Sequence, residues 1–205
     1  MPSSFVTPPG GRADARRNRA RLLEAARAEF RESGTAMQME GVAARAGIGV
    51  GTIYRNFANK DELIAAVIFE GIRSSREAVE RIDPDMAPWD AFCTLMNVVA
   101  EHTIADQAFA HLIPAEMKRH AEMVAEVERF NEAFGRIVAR AHASGSLRPD
   151  LDASEILEMA VHLATTPPGF PVEMEDARQR VRRFIAVVLD GLRVPGPAGS
   201  ETAAP

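Results

Sequence analysis

Apolar residues recur along nearly the whole chain at spacings of three and four, the period of an α-helix. No run of β-branched residues bounded by turns competes with them. The first periodic segment, about Arg16 to Ser33, puts Leu22, Ala26 and Phe30 on one face with Leu23 beside them, leaves arginines on the other, and meets Gly34 as its stop. A short helix of about Met39 to Ala46 turns Val42 and Ala43 inward. Gly47-Ile48-Gly49 follows, then another short helix from Val50 to Phe57. Two short helices joined by a three-residue turn containing glycine are the signature of a helix-turn-helix. Beyond it, Asn59 and Glu62 have the spacing of a capping box, in which Asn59 accepts from the backbone of Glu62 while Glu62 reaches back, and this opens a long helix to about Ile82.

The remainder is patterned the same way. Asp83-Pro84-Asp85 breaks the long helix, and Pro88 starts the next, to about Ala105, with Phe92, Leu95, Met96 and Val99 clustered. A short segment spans Phe109 to Ile113. A long helix is expected from Ala115 to Ser144, its stripe including Met123, Val127, Phe130, Phe134, Ile137 and Val138, with Gly145 at its end. Asp152 and Glu155 form a second capping box, opening a helix that Pro167-Pro168-Gly169 stops, and a last helix runs from about Asp176 to Leu192. Nine helical segments make the fold all-α. The Pro-, Gly- and Ser-rich ends, residues 1–13 and 194–205, are expected to be disordered tails. The last two helices carry apolar residues around most of their circumference and must be covered on two sides. A second copy of the chain would supply the other cover, with Leu157, Val161, Phe184 and Val188 as candidate contacts.

Charge adds a division that hydropathy alone does not reveal. The 205 residues are 46% hydrophobic and 26% charged, the composition of a soluble globular protein. Their formal charge of −5 hides a basic head: residues 1–60 hold ten basic and five acidic residues, and the remainder hold 14 and 24. Such a split predicts that the head meets a polyanion. The lone Cys93 excludes an internal disulfide, and the chain has no paired Cys/His spacing for structural zinc, so a reducing cytoplasm is the expected compartment. The first 21 residues suit neither a secretory signal nor an anchor, and no segment approaches the roughly 18 uncharged apolar residues of a membrane span.

A helix that enters the major groove needs small residues at its start and donors around it for phosphates and base edges. Gly49 and Gly51 flank the start of the third helix. Thr52 and Tyr54 offer hydroxyls, Arg55 and Asn56 offer further donors, and Lys60 stands at the next helix N-terminus, a position that favours anions. Leu22-Leu23, Ala25-Ala26, Phe30 and Gly34, followed by MEGVAARAGIGVGTIYRNFANKDEL over residues 39–63, resemble the DNA-binding domain of the TetR family of transcriptional repressors. The resemblance spans about residues 16–66 and rests on the Ala-x-x-Ala-Gly turn, Gly-Thr-Ile-Tyr and Phe-x-x-Lys at fixed spacing. It implies that Val50 to Asn56 form the recognition helix, with Thr52, Tyr54 and Lys60 on phosphates and Val50, Gly51 and Arg55 nearest the bases. Three positions depart from the family pattern. Gln38 replaces the usual Thr or Ser cap and caps poorly, Gly49 replaces a frequent Ser, and Asn56 replaces a common His and could read adenine. Arg16, Arg17, Arg19 and Arg21 suit either a solvated helix face or an arm along the DNA backbone.

The resemblance further implies a helix-turn-helix domain over residues 14–60 and a helical effector-binding and dimerisation domain over 61–193. It also implies a nucleoid-associated homodimer whose two recognition helices, roughly 34 Å apart, read a palindromic double-stranded operator until a largely apolar small molecule releases it. Trp89, Phe92, Cys93, Met96, Phe109, His111, Met117, His120, Phe130 and Phe134 resemble the lining of such an effector pocket, although each fits an ordinary core as well. Two rivals compete with this reading. Glu116/His120 and Glu158/His162 are i, i+4 pairs that invite a di-iron site, but that fold uses Glu-x-x-His at i, i+3 with further inward glutamates. Cys93 invites redox sensing, but lone cysteines on apolar helices are usually inert. No Ser/His/Asp arrangement or phosphate loop is discernible, so neither catalysis, cofactor nor metal is expected.

Overall fold

Nine α-helices and two 3₁₀ turns account for most of residues 13–165 and 174–194, which the computed structural model describes, and these residues contain no β-strand. The helices are α1 (Ala13–Ser33), α2 (Met39–Ala46), α3 (Val50–Asn56), α4 (Lys60–Glu80), α5 (Pro88–Asp106), α6 (Ile113–Arg119), α7 (Ala121–Ala143), α8 (Ala153–Ala164) and α9 (Met174–Leu192). The expected terminal tails and the Pro167-Pro168-Gly169 stop lie outside the described residues. The chain divides into two compact units. One holds residues up to 74 together with 106–128, and the other holds 75–105 together with the residues from 129 onward.

The first unit closes around one core. Leu22, Leu23, Ala26 and Phe30 of α1 meet Val42, Ala43, Ile53, Phe57 and Leu63, with Phe109 and Met123 completing it. Phe30 and Phe109 stack with ring centroids 4.3 Å apart. The turn between α2 and α3 depends on Gly47, whose φ of 64° lies in the left-handed region that glycine adopts without strain. Arg21 of α1 donates to the Ala46 carbonyl at 2.5 Å and satisfies the end of α2 that this turn exposes. Arg45 ties α2 to α1 through Glu29 at 3.2 Å and Glu32 at 2.5 Å.

The long helix expected from Ala115 to Ser144 is two helices. His120 takes an extended backbone, φ −132° and ψ 106°, closing α6 through the Glu116 carbonyl and offering its own carbonyl to Met123 at the start of α7. The Glu116 side chain is buried, and Arg119 and His120 fold onto its carboxylate at 3.1 and 3.3 Å. No glycine or proline marks the break.

The second unit packs Phe92, Leu95, Met96 and Val99 of α5 against Phe134 and Val138 of α7, Ile156 and Ala160 of α8, and Val181, Ile185 and Leu192 of α9. Its capping box forms as expected. The Asp152 carboxylate accepts from the backbone N–H of Ser154 and Glu155, and Glu155 accepts from the Asp152 N–H at 2.9 Å. Glu101 of α5 holds Arg182 of α9 at 2.9 Å.

Candidate nucleic-acid interface

α3 has two sides of opposite character. Ile53 and Phe57, 0% and 1% exposed, seat it in the core of the first unit, whereas Val50 and Tyr54 are 43% and 46% exposed one turn apart. Gly51 and Arg55 continue the exposed row, and a side chain added at Gly49 or Gly51 would meet open space. The outer side of α3 is therefore narrow and unobstructed at its N-terminal end, as approach to a groove requires.

The donors on this side already have acceptors within the unit. The Tyr54 hydroxyl donates to Glu40 Oε1 of α2 at 3.1 Å, which, with partial burial, pushes the phenol above its ordinary pKa. Arg55 donates to the Gly51 carbonyl at 3.1 Å and to Thr52 Oγ1 at 2.9 Å, and Asn56 donates to the Thr52 carbonyl at 2.8 Å. Lys60 is half-buried at the first position of α4. Asn59 accepts from the Glu62 N–H at 2.9 Å, while Glu62 reaches back to the Ala58 N–H at 2.7 Å, one residue further than the box requires. Gln38 leaves α2 without a side-chain cap and donates instead to the Ala36 carbonyl.

The arginines of α1 are largely engaged inside the unit. Arg21 caps α2, Arg27 pairs with Asp106 at 2.8 Å, and the Arg19 guanidinium lies 4.8 Å from the centre of the Phe57 ring. Burial holds Arg19 below its ordinary pKa. Arg17 is exposed, and the Arg16 side chain lies outside the described residues. Glu40 was not among the residues that the motif singles out. It lies fourteen positions before Tyr54, and only the crossing of α2 and α3 brings the two together.

The ten residues proposed for an effector pocket divide between the units. Phe109 and Met117 belong to the core of the first. There His111 is exposed, while His120 lines an open groove of about 660 Å³ with Tyr54, Asn56 and Arg119. Trp89, Phe92, Met96, Phe130 and Phe134 share the core of the second. Cys93, half-buried on the same helix, has its thiol pushed up by burial and so carries little thiolate. Among the described residues no three His, Cys, Asp or Glu side chains converge on a common point, and no helix is long and apolar enough to cross a membrane. The four proposed dimer contacts lie on α8 and α9. Leu157, Val161 and Val188 are half-buried and Phe184 is 45% exposed, joined by Val187 at 71%.

Residues 22–67 match the family described as bacterial regulatory proteins, tetR family, and residues 87–194, more than half of the chain, match the C-terminal domain of SbtR-like transcriptional regulators. No curated protein matches the sequence. Among solved structures, a TetR regulatory protein from Mycobacterium vanbaalenii is similar at 29% identity and a TM-score of 0.66, the match covering 89% of this chain and 99% of that one. A TetR regulator from Streptomyces coelicolor is similar at 24% identity and a TM-score of 0.66, over 87% and 99% of the two chains. The ketosteroid transcriptional regulator KstR2 of Mycobacterium tuberculosis is similar at 23% and 0.65, over 90% and 98%.

Proposed function

The chain belongs to the TetR family of bacterial transcriptional regulators, and from that premise we propose that it is a homodimeric repressor, released from a palindromic operator by a small-molecule effector. The observation that carries this reading is the outward row of Val50, Gly51, Tyr54 and Arg55 on a helix seated by Ile53 and Phe57. Laid in a major groove, that row brings Val50, Gly51 and Arg55 to base edges, Asn56 within reach of an adenine, and Thr52, Tyr54 and Lys60 to phosphates. Gln38 stands at the start of α2 as a further backbone contact. None of these roles is catalytic, and the protein acts in the cytoplasm on the nucleoid.

Exposed apolar side chains on α9 support the homodimer part of this reading. Phe184 and Val187 leave apolar side chains exposed on α9, and a copy related by a two-fold axis would bury both pairs. For the effector, the aromatic and methionine residues around Phe92, Met96, Phe130 and Phe134 favour an apolar molecule that acts by shifting the population between two arrangements of the dimer. Selection of fragments bound by the full chain from its own genome tests the proposal. Enrichment of a short inverted repeat upstream of genes is expected, and fragments sharing no repeat would sink it.

A further inference from the structure

We infer that Glu40 is a counter-ligand of the DNA-reading face, its carboxylate competing with a backbone phosphate for the single hydroxyl proton of Tyr54. The inference rests on the DNA-binding reading of α3 and adds an opposing group to it. A phenol donates one hydrogen bond, and a phosphodiester, like a carboxylate, offers only acceptors, so the Tyr54 proton cannot serve both at once. In the structure Glu40 holds it, at 3.1 Å. Once Tyr54 turns to a phosphate, the Glu40 carboxylate loses that bond and stands within a few ångströms of a second negative charge.

Glu40 cannot retreat by moving its helix. Its neighbours Met39, Val42 and Ala43 are buried, and Arg45 fastens α2 to Glu29 and Glu32 of α1. Gly41 lets that fastening close in, because Glu29 Oε1 lies 3.0 Å from where a side chain at residue 41 would begin. Only the Glu40 side chain can turn aside. Arg55 and Asn56 differ in this respect: their acceptors are neutral oxygens of α3 itself, which repel no phosphate when left. The penalty at Glu40 falls on every DNA sequence alike. It lowers background occupancy of the duplex and leaves discrimination to Arg55 and Asn56.

The test uses the full chain and a random-sequence duplex at low salt, with wild type, Glu40→Gln, Tyr54→Phe and the double variant. Glu40→Gln should bind about three- to tenfold tighter, because a charged acceptor is replaced by a weaker neutral one. In the Tyr54→Phe background the same substitution should gain only the smaller part that comes from loss of a charge, and the difference between the two gains measures competition for the proton. Equal gains in the two backgrounds, or weaker binding by Glu40→Gln, would overturn the inference while leaving DNA binding intact. Tyr54 is the one tyrosine of the chain, so alkaline absorbance titration reads it alone. Glu40→Gln should move that titration to lower pH, and an unchanged curve overturns the inference independently of DNA. A wild-type protein that binds no duplex at all, with the titration shifting as expected, overturns the DNA-binding reading and the inference with it.

Discussion

The outer side of α3 and the outer side of α9 both stay open after their own cores have closed, yet they are finished in different ways. On α3 the exposed donors of Tyr54 and Arg55 and the half-buried donor of Asn56 each have an internal acceptor. A ligand there replaces one hydrogen bond with another, so the net gain per contact is modest and reversible. On α9, Phe184 and Val187 present carbon alone, and their gain comes from leaving water. Covering what remains exposed of both residues on two copies would contribute on the order of 4 kcal/mol. Under the proposed function the first face suits a transient polyanionic partner and the second a lasting apolar one.

The largest expected effect breaks the second face. Phe184→Asp together with Val187→Asp should shift the protein from dimer to monomer in sedimentation, and weaken binding to a two-half-site duplex by about 100-fold or more through loss of bivalency. Helix content should not change, because the buried row of Val181, Ile185 and Leu192 is untouched. Ile53→Ala attacks the seat of the first face instead. The side chain is fully buried, so the head should lose about 2–5 kcal/mol of stability in denaturant unfolding, followed by loss of DNA binding.

Smaller effects separate the roles along α3. Arg55→Ala should cost about 1–3 kcal/mol on the preferred sequence and relax preference at one base pair, whereas Lys60→Ala should weaken all duplexes alike and lower the salt slope by about 1. Competition binding across a set of single-base variants distinguishes the two. The smallest effect lies in the second unit. The backbone N–H of Glu155, with Ser154, holds the Asp152 carboxyl below the usual carboxylate range. A depressed folded pKa stabilises the fold above the unfolded value near 4 and loses that contribution as pH falls through the folded value. Asp152→Asn should therefore flatten the acid limb of the stability curve and leave its neutral region nearly unchanged, read as denaturation midpoints at pH 7 and pH 3.

What the sequence disclosed depended on how local each signal was. The Asp152–Glu155 capping box, the Asn59 half of the first box and the glycine turn follow from residues within a few positions of one another, and the structure contains them; the Glu62 half shifts by one residue to the Ala58 N–H. The break at His120 left no local trace, because no glycine or proline stands there; it coincides with a buried Glu116 that pairs with the exposed Arg119 and with His120. The roles of Arg19 and Arg21 and the Glu40–Tyr54 bond depend on how helices cross, which periodicity does not encode. For the effector the difficulty is chemical. Phe109 and Met117 lie in one core and Phe92, Met96 and Phe134 in another, and an aromatic or methionine side chain looks the same in sequence whether it fills a core or lines a pocket.

Selection of bound duplexes from a fully random library, run in parallel with wild type and Arg55→Ala, tests the central claim that the outer side of α3 reads DNA as half of a two-fold pair. An inverted repeat is expected from both proteins, with the same spacing between half-sites and a changed base preference within each half-site of the variant. No enriched repeat, or an identical repeat from the two proteins, would contradict it.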